Sequence, residues 1–281
     1  MPLGAQLRGA NIEGIERRQL YLEYARRDPH VEKISFAMTI EAPALPRPVG
    51  ARYDRPFYTG MAIAAAVVVF AGFAPTYFLR ASYQATSLPT YLQVHGFLFT
   101  TWIVLFIAQT ALVAARRTNV HRRLGWAMAA LAVVMVVVGT TAGIWSMRRQ
   151  VEAGFAQQAQ AFLTTPLFSM VAFAAFVAAA IRFRRDSQTH KRLMLLATIS
   201  ILDAAVARLP FEFLRTSNWN YLPATDVFLL AAIVYDVASR RAVHQAYVWG
   251  GLVLVIEQAL RIPVGETAAW QAIAGAILGN R

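Results

Sequence analysis

Seven apolar stretches dominate this sequence, and most of them are long enough to cross a lipid bilayer as a helix, which takes about 20 residues. Only 15% of the 281 residues are charged, against about 25% in an average soluble domain. The pattern therefore predicts an all-α protein, a polytopic transmembrane helical bundle of about seven spans. The predicted spans, in chain order, are Phe57–Phe78, Tyr91–Ala115, Leu124–Trp145, Ala161–Phe183, Leu193–Leu209, Tyr221–Val237 and Ala242–Leu260.

These stretches divide the chain into three parts. Residues 1–56 are predicted to form a polar cytoplasmic tail that is partly disordered, residues 57–262 a seven-helix transmembrane domain, and residues 263–281 a short outer segment. Within that segment, Ala268–Leu278 is too short to span and predicts a helix lying on the membrane surface. The fifth and sixth stretches are short and carry acidic residues, so we expect them to lie among other helices rather than against lipid.

The arginines predict the orientation of the bundle. They cluster before the first stretch and after the second, fourth and sixth, whereas the opposite loops hold far fewer. Because basic residues collect in cytoplasmic loops, the N-terminus is predicted in the cytoplasm and the C-terminus outside, in a multi-pass protein of a bacterial inner membrane. The clusters between spans are Arg116, Arg117, Arg122 and Arg123; Arg182, Arg184, Arg185, Lys191 and Arg192; and Arg240 and Arg241.

The charge and the absence of cysteine narrow the function classes. A net charge of +12 is explained by anionic lipid headgroups, and no basic stripe with exposed aromatic residues or nucleic-acid motif is present. Nucleic acid is therefore not a predicted partner, whereas the lipid bilayer and other subunits of a membrane complex are. The chain has no cysteine, which excludes disulfides, iron–sulfur clusters and thiolate zinc sites.

Three histidines lie at the cytoplasmic starts of spans three, five and seven: His121, His190 and His244. These helices run in the same direction, so the three rings are predicted at a similar depth. Neutral imidazole binds zinc, copper and haem iron, so the set predicts a cofactor site for haem b or another histidine-ligated metal, with Asp236 as a further candidate ligand. The alternative is that polar rings simply favour the headgroup boundary.

A second set of ionisable residues is predicted near the outer ends of four spans: His95, Asp203, Arg208, Asp226 and Glu257. Charged side chains at membrane depth cost at least ~2.5–3.5 kcal/mol each, so they should face the bundle interior and pair. We expect Arg208 to pair with Asp203 or Asp226, and Glu257 with Arg261 four residues later. The set predicts either a ligand site or proton pathway, or an ion-pair network that fixes helix register.

The pattern HG…HRRLGW…HKRLM…H, whose histidines are His95, His121, His190 and His244, extends through a region from Tyr53 to Trp270. It resembles a family of uncharacterised bacterial polytopic membrane proteins, and the resemblance implies a membrane location but no activity. Di-haem membrane cytochromes of the b type carry facing histidines at both membrane faces. In this chain His95 is the only histidine predicted on the outer side, so the pattern is compatible with one haem on the inner side rather than with two.

Three functions are consistent with these patterns. The first is a cofactor- or ligand-binding membrane protein, with haem-type redox chemistry on the inner histidines as its most concrete version. The second is a non-catalytic accessory, assembly or scaffold subunit of a membrane complex. The third is a proton-coupled small-molecule transporter that uses the outer residues, although no inverted repeat supports it.

Overall fold

The computed structural model describes residues 49–83 and 86–279, and every regular element within them is helical. The all-α prediction is confirmed for this part of the chain, whereas the predicted disorder of the tail concerns residues 1–48, which lie outside it. The helices are α1 (Val49–Phe73), α2 (Thr90–Ala114), α3 (Thr118–Glu152), α4 (Ala156–Phe162), α5 (Thr164–Arg182), α6 (Ser187–Ile199), α7 (Asp203–Val206), α8 (Glu212–Arg215), α9 (Asn218–Thr225), α10 (Val227–Arg240), α11 (Gln245–Glu266) and α12 (Ala268–Leu278).

Within the described ranges, six helical segments are long and apolar enough to cross a membrane. They correspond to all the predicted spans except the fifth, because unbroken apolar runs of this length satisfy their backbone groups internally and need no water. The multi-pass transmembrane prediction is therefore supported. The segments are Tyr53–Phe78, Thr90–Ala114, Thr118–Glu152, Ala156–Arg182, Asn220–Arg240 and Gln245–Glu266.

The predicted fifth span, Leu193–Leu209, is not one continuous helix. It consists of α6, a turn, the single helical turn α7, and a further turn. The Ser200 hydroxyl donates to the Ala197 carbonyl at 2.9 Å, and Asp203 Oδ1 accepts from the Ala204 amide at 2.7 Å. Such local bonds compete with the helical ladder and explain the break.

This broken segment lies at the centre of the bundle, as expected for a span that carries acidic residues. Its neighbours are α1, α5 and α11. The sixth span differs from our expectation, because α10 exposes an apolar row on one face, as a lipid-facing helix does. Residues of the fifth segment with no exposed surface are Arg192, Leu195, Leu196, Ala197, Thr198 and Ile199. The exposed row of α10 comprises Val227, Leu230, Val234 and Val237.

The C-terminal end of the first span is shaped by a π-helical turn, Ala74–Phe78, that continues α1. Pro75 has no amide hydrogen to donate to the regular ladder, and such widened turns often occur at functional sites. Two glycines permit close contacts here. A Cβ atom at Gly72 would lie 2.2 Å from the Ala205 carbonyl oxygen, and one at Gly96 would lie 2.4 Å from the Tyr77 ring. The first span therefore packs tightly against α2 and α7.

Two predicted boundaries shift in the structure. α1 begins at Val49, inside the predicted polar tail, and α11 continues to Glu266, beyond the predicted end of the transmembrane domain. The predicted surface helix Ala268–Leu278 is present as α12 and packs on α4. There the Trp270 indole donates to the Gln160 carbonyl at 2.8 Å. Together with the end of α3, these two short helices cap one end of the bundle.

Candidate functional site

A cavity of about 740 Å³ opens beside the broken segment. Its wall is formed by the π-helical turn, α2, the last turns of α3, the start of α5 and the α6–α7 break. Most of the wall is apolar or aromatic, including Phe73, Phe99, Ile103, Met170 and Leu202. The polar side chains on the wall include His95, Gln150, Thr165, Ser169, Asp203, Arg208 and Tyr221. An apolar cavity with a few polar groups is the usual form of a small-molecule site.

His95 is placed on this wall by α2. Its ring stacks on Phe99, with ring centres 4.0 Å apart. The His95 Nδ1 atom is buried and has no hydrogen-bond partner among the described residues. Leaving a buried polar group unsatisfied costs about 1–3 kcal/mol, so a polar group that entered the cavity and bonded to this nitrogen would be stabilised. His95 is therefore the group on the wall best suited to recognise a ligand.

Asp203 also lies on the wall, but its carboxylate is fully engaged. The buried Arg261 guanidinium forms an ion pair with Asp203 Oδ2, and the Ser169 hydroxyl donates to the same oxygen at 3.2 Å. Arg261 also holds both Glu257 oxygens, at 2.6 and 2.8 Å. Arg261 thus offsets part of the charge of Asp203 from behind the wall, and it is shared with Glu257. Arg261 is the residue that sequence reasoning underrated, because it was assigned to Glu257 alone.

Arg208 lies on the cavity wall with an exposed side chain. Its guanidinium sits 4.8 Å from the centre of the Phe73 ring, and Nη1 donates to the Ala204 carbonyl at 2.6 Å. Of the two acids expected to pair with Arg208, Asp203 forms an ion pair with Arg261, and its charge also acts on Arg208. The charged side chains on the wall are Arg149, Arg208 and Asp203, so the charge facing the cavity is net positive.

The two remaining residues of the predicted outer set do not line the cavity. Glu257 contributes through Arg261, as described. Asp226 precedes α10, and its carboxyl lies near Gln258, whose side chain is only 4% exposed. The Oδ1 atom of Asp226 is buried without a hydrogen-bond partner among the described residues. The structure thus brings His95, Asp203 and Arg208 together at one cavity and leaves Asp226 apart.

The three histidines predicted on the inner side divide into a pair and a single residue. The ring centres of His121 and His190 lie 6.3 Å apart, with the rings nearly perpendicular. His244 instead caps α11, where its Nδ1 accepts from the Ala246 amide at 3.1 Å. Burial, and then the nearby Arg192 charge, lower the pKa of His244, which keeps the ring neutral and able to accept. No three histidine, aspartate or glutamate side chains in the described ranges converge as a metal site.

A second polar cluster joins α1, α6 and α10 at the same end of the bundle as these histidines. Arg192 and Asp236, both without exposed side-chain surface, form a two-bond ion pair at 2.5 and 2.9 Å. Asp54 pairs with Lys191 at 2.5 Å and also with Arg240. Sequence reasoning missed Asp54, which it placed in the tail. The Asp236–Arg240 pair, in contrast, has the four-residue spacing of a helical ion pair and was visible in the sequence.

Two polar sites thus lie toward opposite ends of the bundle: a cavity bordered by His95, Asp203 and Arg208, and a histidine pair beside an ion-pair cluster. The cavity has the size and wall chemistry of a binding site, whereas the ion-pair cluster is saturated by its own members. Comparison of the chain with protein-family models, with curated proteins and with solved structures gave no match.

Proposed function

We propose that this chain is a ligand-binding protein of a bacterial inner membrane, and that its ligand is an amphipathic anion with an apolar body and a carboxylate or phosphate head. The observation that carries the proposal is the cavity of about 740 Å³, which combines apolar walls with a net positive edge. Its volume falls within the roughly 300–1,000 Å³ of known small-molecule sites.

The distribution of groups on the wall indicates how such a ligand would lie. The apolar body would pack against the rings and aliphatic chains of α2 and α5, where each buried methylene contributes about 0.8 kcal/mol. The head would meet Arg208, which supplies a charged donor, and His95, whose unpartnered nitrogen can donate or accept. Arg261 weakens the repulsion between Asp203 and an anionic head, because it pairs with that carboxylate.

Binding of cis-parinaric acid, a fluorescent fatty acid, to the detergent-purified full chain tests this proposal. We expect Arg208→Gln to weaken binding at least tenfold, because a hydrogen bond to a charged group contributes about 1.5–3 kcal/mol. Arg148→Gln is the matched control. It removes the same charge near the end of α3, at a residue that does not line the cavity. Equal affinity of the two variants, or no binding by the parent, would contradict the proposal and favour a scaffold subunit.

The broken segment favours a second candidate, a proton-coupled transporter of the same class of ligand. Interrupted helices that line a cavity at membrane depth are common in secondary transporters. In this chain the α6–α7 break borders the cavity through Ile201, Leu202 and Asp203. Uptake of the fatty acid into proteoliposomes under an imposed pH gradient distinguishes the two candidates, because a receptor or carrier-type binder without transport activity shows no gradient-driven uptake.

The compartment that the cavity faces follows from the proposed orientation, with the N-terminus in the cytoplasm. Because the chain has no cysteine, single cysteines report topology without background. We expect Ser82→Cys to react with a membrane-impermeant maleimide on spheroplasts, and Thr118→Cys to react only after the membrane is opened. Both positions are exposed and border spans. The reverse pattern of labelling would turn the cavity toward the cytoplasm.

A further inference from the structure

We propose that His121 and His190 form a binding site for a copper ion in its cuprous state, held between the two imidazole rings. The site is independent of the ligand cavity and uses residues of α3 and α6. It lies near the ends of these helices that follow the arginine-rich turns. Three observations carry the inference: the spacing of the rings, the hydrogen bond that orients His190, and the buried His121 nitrogen that has no hydrogen-bond partner among the described residues.

The spacing of the rings fits one ion between two opposed nitrogens. A metal–nitrogen bond is about 2.0–2.1 Å, and the ring centre lies about 1.2 Å further on, so two imidazoles on opposite sides of one ion have centres about 6.4 Å apart. The observed separation is 6.3 Å. A tetrahedral angle would bring the centres to about 5.2 Å with the same bond lengths. The spacing therefore favours two-coordinate, nearly linear binding over a tetrahedral zinc site.

The hydrogen bonds of His190 leave one nitrogen available to an ion. Its Nδ1 lies 2.8 Å from the Ala180 carbonyl oxygen. Because a carbonyl can only accept, Nδ1 carries the hydrogen and Nε2 carries the lone pair. A ring that donates its second N–H to a backbone carbonyl is the usual arrangement of a metal-bound histidine, since the bond fixes both tautomer and ring orientation.

His121 also offers one nitrogen to an ion. Its Nδ1 is buried and has no hydrogen-bond partner among the described residues. A metal ion bound to this nitrogen would satisfy it, and the ring hydrogen would then be on Nε2. The pair thus offers Nε2 of His190 and Nδ1 of His121 to a shared ion.

The surroundings also favour an ion of low charge. The positive charge of Arg122 acts on His121, and no carboxylate joins the two histidines in a three-residue metal group within the described ranges. A divalent ion would be repelled more strongly than a monovalent one. Imidazole is a good ligand for copper.

Titration of the full, detergent-purified chain with cuprous ion against the chelator bicinchoninate tests the site. We expect about one ion per chain for the parent, and affinity at least 100-fold lower for both His121→Asn and His190→Gln. His244→Asn is the control, because asparagine also caps helices and His244 lies outside the pair. The absence of cysteine removes thiolate binding from the measurement.

Circular dichroism and melting temperature of each variant separate loss of the site from loss of the fold. If either pair variant does not fold, the X-ray absorption spectrum of the copper-loaded parent decides, since two-coordinate cuprous copper has a distinctive edge feature. Failure of the parent to bind copper, equal loss in His244→Asn, or a three- or four-coordinate spectrum would overturn the proposal. A Soret band abolished by His121→Asn would also overturn it, in favour of haem iron. None of these outcomes depends on the fatty-acid measurement.

Discussion

Replacing Asp236 with alanine is expected to lower the free energy of unfolding by about 3–5 kcal/mol, because removal of one partner leaves an uncompensated buried charge. That charge is Arg192, whose side chain has no exposed surface and whose Nε and Nη2 atoms both donate to Asp236. Arg192 also packs on the Tyr247 ring, at 5.5 Å from its centre, so it cannot reach water without disrupting the core. Unfolding in mixed micelles, followed by circular dichroism, measures the change.

A double variant separates the charge from the packing. Replacing the pair together, as Arg192→Met with Asp236→Leu, should recover most of the stability, since apolar residues of similar volume often substitute for a buried ion pair without loss.

Asp186→Ala is the control for losing a carboxylate in the same region. Asp186 caps α6, and the Thr189 hydroxyl that donates to it lowers the pKa of its carboxyl. Its loss should cost only about 1 kcal/mol, as for other N-caps. A single variant as mild as this control would contradict the argument.

Arg261→Met is the second variant with a large expected effect, about 3–5 kcal/mol of stability together with loss of fatty-acid binding. Arg261 is fully buried and is the shared counter-ion of Asp203 and Glu257, so its loss leaves two carboxylates facing each other. Asp203 would then carry an uncompensated negative charge on the cavity wall, which repels an anionic head. Equilibrium unfolding and parinaric-acid fluorescence on the same sample measure the two effects.

Neutral replacements show whether charge is the cause. Adding Asp203→Asn and Glu257→Gln to Arg261→Met removes all three charges and should restore much of the stability. Glu257→Gln alone should have a smaller effect, since Arg261 keeps its pair with Asp203 and Glu257 does not line the cavity. If the triple variant is as unstable as Arg261→Met, the stabilising role of Arg261 lies in its packing and not in its charge.

Hydropathy predicted six of the spans well, because lipid excludes polar side chains wherever a helix crosses it alone. It failed at the fifth span, where the helix is enclosed by protein and the polar side chains of Ser200 and Asp203 can bond to local backbone. The sixth span was found, but its expected burial among other helices was wrong. Its acidic residues do not prevent contact with lipid, since Asp226 lies just before α10 and Asp236 faces inward from it. One face of α10 stays buried while the other remains apolar and exposed.

The candidate site was predicted in part. Depth along each helix could be read from the sequence, and it brought His95, Asp203 and Arg208 to one level. The rotation of each helix about its own axis could not be read from the sequence. The ion pair between Arg261 and Asp203 and the capping of α11 by His244 were therefore not predicted. Asp54 was missed for another reason. It lies in the first turns of α1, before any apolar run begins.

The length of α3 has a consequence for how a ligand enters. With 35 residues, α3 is about 50 Å long, well beyond the roughly 30 Å of hydrocarbon in a bilayer. Its last turns, which include Met147 and Gln150, form part of the cavity rim. Excess length at this end of α3 would place the rim among the lipid headgroups. A fatty acid could then lower its tail into the cavity while its head stays hydrated, without first passing through the acyl layer.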